Sequence, residues 1–186
     1  MQSVRVMGVD PGIARMGFGI VDAFGNRLQS IHYGCLTTPA HTPIERRLHQ
    51  LYHELCELLI QYRPDFLAVE ELFFNRNTTT AFTVGQARGI AILAGAEHGS
   101  QLAEYTPMQV KQAVTGYGHA DKQQVQMMVK TLLHLESVPK PDDTADALAI
   151  AITHAHASPF QIKTTVVGAQ QGVRQDKLYP GGGRPQ

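Results

Sequence analysis

Four carboxylates in this 186-residue chain could share a divalent cation: Asp10 ends one apolar run, Glu70 ends another, and Asp143 and Asp146 lie three apart where a helix is predicted to begin. Hard oxygen ligands of this kind suit Mg²⁺ or Mn²⁺. Two such ions about 4 Å apart can activate a water, stabilise a leaving oxygen and neutralise the charge of an in-line displacement at phosphorus. No nucleophilic side chain is then needed, and the predicted chemistry is metal-assisted cleavage of a phosphodiester backbone. In that reading Asp10 bridges the ions, Glu70 and Asp143 hold one each, and Asp146 completes the site. Each acid also has a plainer explanation. Asp10-Pro11-Gly12 could simply end a strand, and aspartates ahead of an apolar stretch often do no more than start a helix.

Backbone elements must bring the four together. Val4 to Asp10, Gly17 to Asp22 and Leu28 to Thr38 read as three strands with short connections, hence an antiparallel meander. Thr42-Pro43-Ile44-Glu45 has the form of a capping box, and Ile44, Leu48, Leu51, Leu55 and Leu59 follow at helical spacing up to Arg63-Pro64. Further along, Asp65 to Glu70 and Gln101 to Tyr105 read as strands. Helices are predicted over Thr79 to Glu97, Met108 to Val114, Lys122 to His134 and Asp142 to His156, with Asp142 as N-cap of the last. The expected fold is α/β, a mixed five-stranded sheet of three antiparallel strands and then parallel ones, flanked by helices. Side chains alternate along strands, so Asp10 points with Gly8 and Val6, and Glu70 with Ala68 and Phe66. If the first and fourth strands are parallel neighbours, both acids emerge at the carboxyl end of the sheet, where open sheets usually place ligands. Residues 1–160 form the expected domain, and 161–186, rich in breakers near the end, are expected to be disordered.

Composition narrows the class. Sixteen basic and sixteen acidic residues cancel, so a nucleic-acid surface must come from local sorting. Such sorting is visible between Glu71 and Glu97, where Arg76 and Arg88 stand without an acid. There is no apolar run of membrane-spanning length and no signal-peptide pattern, so a cytoplasmic protein with no membrane association is expected. Cys35 and Cys56 are read as reduced, buried small hydrophobes. The nine histidines are read as forming no helical metal pair with a nearby glutamate, and His154 with His156 as the wet end of the last helix. Gly85, Ala87, Gly89, Ala91, Ala94, Gly95 and Ala96 leave little side chain on the second helix, which permits close approach to the sheet or to a symmetry mate.

Taken in order, Gly8-Val9-Asp10-Pro11-Gly12, Gly17-Phe18-Gly19, Ala68-Val69-Glu70, Val84-Gly85-Gln86-Ala87-Arg88-Gly89, Val110-Lys111-Gln112, Ala120-Asp121-Lys122-Gln123-Gln124-Val125 and Asp143-Thr144-Ala145-Asp146-Ala147-Leu148-Ala149 resemble the RuvC family of bacterial crossover junction endodeoxyribonucleases. The resemblance runs from about Arg5 to His156. It implies an RNase H-like fold, a homodimer, and Mg²⁺-dependent paired nicking of Holliday junctions in recombination and DNA repair, alongside RuvA and RuvB branch-migration proteins. It also implies that Asp10, Glu70, Asp143 and Asp146 are the acidic tetrad, and that Phe73 stacks on a base near the crossover. Lys111 and Lys122 would contact the DNA backbone, with Arg76 at a position that is often basic. Family members tend to be basic, so this neutral chain is expected to bind DNA less tightly without regard to structure, with a salt slope set by a few contacts.

Three rivals are weighed against this reading. A sugar kinase or actin-like ATPase also opens on an Asp-x-Gly hairpin, but that architecture needs a second related domain and more residues. A binding module that does not cut would tolerate neutral replacements in the tetrad. An RNA-processing relative would lack the motifs from Lys111 to Lys122.

Overall fold

The computed structural model describes residues 3–71 and 78–168, side chains at 78–80 and 158–168 excepted. Five strands, β1 (Val4–Asp10), β2 (Arg15–Phe24), β3 (Arg27–Thr37), β4 (Phe66–Glu70) and β5 (Gln101–Tyr105), form one sheet in the order β3-β2-β1-β4-β5. β1 pairs antiparallel with β2 and parallel with β4, and β4 is parallel to β5. This is the mixed sheet expected from the sequence. β2 and β3 run longer than predicted because their ladder continues from Arg15↔Thr37 to Phe24↔Arg27, closed by Gly25 at a positive φ of 60°.

Alternation along β1 splits the core in two. Met7 and Val9 join Leu67, Val69, Ile20 and the buried stripe Leu51, Leu55 and Leu59 of α1 (Ile44–Tyr62), together with Ala87, Ala91 and Ala94 of α2 (Thr78–Glu97). Val6 faces the other way, with Ala68, Val110 of α3 (Pro107–Thr115), Val125 and Val129 of α4 (Lys122–Leu132), and Leu148 and Ile152 of α5 (Asp142–Gly168). Asp10 and Glu70 share the parity of Val6 and Ala68, so both belong to the α3–α5 side.

α5 lies unusually close to the sheet, and glycines make the room. A Cβ on Gly8 would sit 2.1 Å from the carbonyl oxygen of Ala147, and one on Gly17 would sit 2.0 Å from that of Asp143. Both obstacles are backbone, so neither can swing aside. Gly17→Ala is therefore expected to push the first turn of α5 away from β2, costing about 1–3 kcal/mol by overpacking. Because Asp143 rides on that turn, the variant should also lose more activity than its shift in thermal midpoint explains.

Several local expectations are corrected. The Thr42–Glu45 capping box does not form: α1 starts after Pro43, which has no side-chain acceptor to offer. True capping boxes close Thr106 with Gln109 and Asp121 with Gln124, where the cap residue stands immediately before the helix. Asp142 is the first residue of α5, not its cap. That helix continues to Gly168, past the predicted end near His156, and residues 161–168, expected to be disordered, are helical. Gln161 to Val167 contains no glycine or proline; the breakers cluster after residue 179. His154 is fully buried, not wet. The Tyr105 hydroxyl lies 2.8 Å from its Nδ1, and burial pulls its pKa down to about 4. Cys56 is buried as expected, whereas Cys35 is only half-buried. Among the small residues of α2, Gly95 packs on Leu67 of the sheet, but Gly89 meets nothing within 4 Å.

Candidate active site

Three elements deliver the four acids. Asp10 and Glu70 close adjacent parallel strands, one residue beyond the register pair Val9↔Val69. α5 crosses the mouth of that pair with Asp143 and Asp146 in its first two turns, brought down by the glycine seats on β1 and β2. Asp10, Glu70 and Asp146 line a cavity of about 310 Å³ together with Lys111 and Lys122, and Val110, Val125, Ala149 and Ile150 give it an apolar wall. Asp143 stands beside this cavity, not in its lining. Arg15 Nε lies 3.0 Å from its Oδ2 without the alignment of a hydrogen bond, and that oxygen is buried with no hydrogen-bond partner.

The electrostatics are those of crowded carboxylates. Asp10 is pushed up to about 7, first by burial and then by the charges of Asp146, Glu70 and Asp143, with Lys122 opposing. Glu70 is raised by burial and by Asp146, against Lys111. Burial also raises Asp146, even though the Lys122 ammonium donates to its Oδ2 at 3.0 Å. Asp142, by contrast, is lowered, chiefly by its hydrogen bond from Lys140. It also lies 3.5 Å from Lys122 Nζ, so Lys122 bridges Asp142 and Asp146, one turn apart on α5.

This donor set fits a hard divalent cation. The oxygens are carboxylate, and Asp10, itself largely buried, feels the fields of the other three. Among the described residues no group of three or more Asp, Glu, His or Cys side chains is already gathered around a single point as a bound ion would hold it.

Lys111 and Lys122, matched to DNA-contacting positions, thus sit at the acidic site itself. Phe73 and Arg76 lie outside the described residues. Arg88 is not a free basic group, because it pairs with Glu104. Sequence reading missed Arg15, whose partner Asp143 is distant in the chain; no local pattern links them. It also missed that Tyr105, register partner of Glu70, anchors β5 to α5 through His154.

A meander of three strands, two parallel strands and an acidic cluster under a glycine-seated helix define an RNase H-like nuclease architecture. Residues 6–154 match the family model described as crossover junction endodeoxyribonuclease RuvC. The chain belongs to the RuvC family. It is 60% identical over 152 residues to the crossover junction endodeoxyribonuclease RuvC of Desulfitobacterium hafniense strain DCB-2, covering 82% of this chain and 92% of that one. The Brevibacillus brevis RuvC is 58% identical over 172 residues, covering 92% of this chain and all of its own. Among solved structures, Thermus thermophilus RuvC in complex with Holliday junction substrate superposes with a TM-score of 0.81 at 40% identity, covering 85% of this chain and 96% of that one. The yeast mitochondrial resolvase Ydc2, at 15% identity and a TM-score of 0.58, shares the fold. Among the described residues, no helix is long and apolar enough to cross a membrane.

Proposed function

We propose that this chain resolves Holliday junctions by paired, symmetric, metal-dependent hydrolysis of DNA phosphodiester bonds during recombination and repair. The convergence of Asp10, Glu70, Asp143 and Asp146 at the carboxyl end of the parallel β1–β4 pair carries this reading. Two Mg²⁺ ions, or Mn²⁺ in their place, would supply water activation and charge neutralisation there. Asp10 would stand between the ions, Glu70 and Asp143 would each hold one, and Asp146 would complete the set. The Oδ2 of Asp143 is buried and makes no hydrogen bond, and the Arg15 guanidinium 3.0 Å away offsets its charge, so its proposed part has Arg15 yielding that oxygen to an ion.

Lys111 and Lys122 flank the acids from α3 and the start of α4. Their proposed role is to hold the phosphates on either side of the scissile bond, with Lys122 exchanging Asp146 for DNA. Phe73 is proposed to stack on a base at the crossover and Arg76 to contact the backbone, both just past Glu70 in the chain. Base stacking on an aromatic contributes about 1–3 kcal/mol without demanding a sequence. Phe73→Ala should therefore slow junction nicking on the order of tenfold or more while leaving the thermal midpoint within about 2 °C. An equal loss of stability and activity would instead put Phe73 in the core.

A homodimer supplies the symmetry that paired nicking requires, and α2 offers a face for it. Phe82 is 76% exposed and Leu93 53%, with the open Gly89 between them on the same side of the helix. Leu93→Glu is expected to weaken self-association at least tenfold in sedimentation experiments and to convert paired nicks into single ones. The proposed setting is the cytoplasm, with RuvA and RuvB as branch-migration partners.

The decisive assay compares a four-way junction with linear duplex of the same sequence, each with Mg²⁺ or EDTA, and maps the nicks. Symmetric nicks confined to the junction and to Mg²⁺ support the proposal; cleavage of duplex at the same rate would overturn it.

A further inference from the structure

Far from the acidic cavity, on the opposite side of the sheet, α1 carries a feature that phosphodiester chemistry does not use. His49 and His53, both exposed and one turn apart, turn their rings together with centroids 4.2 Å apart and Nε2 atoms 3.0 Å apart. Two nitrogens at that separation subtend roughly 95° at a metal 2.0–2.1 Å from each, close to the cis angle of an octahedral or tetragonal centre. Glu45 and Glu57 continue the same four-residue spacing one turn before and one turn after, both exposed, so carboxylates stand on the same face at either end of the pair. Among the described residues no third Asp, Glu, His or Cys is gathered with this pair, in line with the expectation of no helical histidine pair with a nearby glutamate, so the feature is the two imidazoles alone. Leu51, Leu55 and Leu59 fix the opposite face of α1 in the core, which sets the direction in which the two histidines point.

We infer that α1 bears a second, surface metal site, in which His49 Nε2 and His53 Nε2 chelate one borderline transition-metal dication of the Ni²⁺, Cu²⁺ or Zn²⁺ class, with water completing the shell and the nearby Glu45 and Glu57 carboxylates adding a favourable negative field. Imidazole selects such ions over the hard Mg²⁺ that suits the carboxylate site. The local structure also gives the ion an effect on the fold. A chelate between the sixth and tenth residues of α1 would cross-link its second and third turns, in a helix whose cap residue Pro43 makes no side-chain hydrogen bond.

The test titrates the full-length chain with NiCl₂ at saturating Mg²⁺, by calorimetry and by thermal melting, for the parent and for His49→Gln and His53→Gln. One Ni²⁺ per chain, a rise in melting temperature, and a Kd at least tenfold weaker in each variant are expected. Mg²⁺-dependent junction nicking should be unchanged in both variants. Equal Ni²⁺ affinity in parent and variants would overturn the inference, as would loss of Ni²⁺ binding on Asp10→Asn alone, which would place the ion at the acidic site. Paramagnetic broadening of α1 amide resonances by Ni²⁺ provides an independent reading, and broadening confined to β1 and α5 would contradict the site.

Discussion

Asp10→Asn is expected to lower junction nicking by on the order of 10³-fold or more while leaving junction binding intact or slightly tighter. The asymmetry follows from the position of the residue. Asp10 ends β1, lies within the fields of all three other acids, and is the one whose carboxyl is pushed furthest, to about 7. In the proposed mechanism a group so placed would hold divalent ions, whose charge stabilisation would be a matter of several kcal/mol in the transition state. DNA affinity, in contrast, rests on phosphate contacts that the removal of a negative charge does not weaken. Rates on a synthetic four-way junction, beside electrophoretic binding of the same junction in Ca²⁺, measure the two effects separately. Normal nicking by the variant would remove Asp10 from the mechanism.

The second large effect concerns stability without metal. In the unfolded chain Asp10 titrates near 4, and in the fold near 7, so the folded state holds its proton more tightly. Stability from this group is full below pH 4 and is lost as pH rises toward 7, on the order of 4 kcal/mol if unrelieved. Glu70 and Asp146, both raised, act in the same direction. In EDTA the melting temperature should therefore fall between about pH 4 and 7 and level off above that, by up to about 10 °C for a chain of this size. Mg²⁺ should restore it, most strongly at the alkaline end. Asp10→Asn should flatten the slope and raise the melting temperature in EDTA at neutral pH. A rise in stability with pH in EDTA, or an unaltered slope in Asp10→Asn, would argue that the acids do not repel one another.

Much of this was legible in the chain because the site hangs from strand ends. Parity alone put Asp10 with Val6 and Glu70 with Ala68, and the short β1–β2–β3 connections left few alternatives to an antiparallel meander. The approach of α5 was harder to read. Gly8 and Gly17 are visible in the sequence, but that they seat the backbone of Ala147 and Asp143 is a matter of contacts across more than a hundred residues. His154 was misread for the same reason: a polar residue near a helix end looks solvated until Tyr105, from another strand, supplies its partner. At Thr42 the box motif was present, but the helix began one residue later than the motif requires. Lys122 is the most instructive case, since the family resemblance implies a DNA-backbone contact and the fold ties it to Asp146 and Asp142. Both readings meet if the ammonium offsets acid charge until DNA and cations arrive.

The central claim is that these four carboxylates share divalent ions. Anomalous diffraction at the manganese edge, from crystals grown with junction DNA and Mn²⁺, tests it most directly. Two peaks are expected about 4 Å apart, within coordination distance of Asp10, Glu70, Asp143 and Asp146. Manganese bound elsewhere in the crystal, with none among these oxygens, would contradict the account.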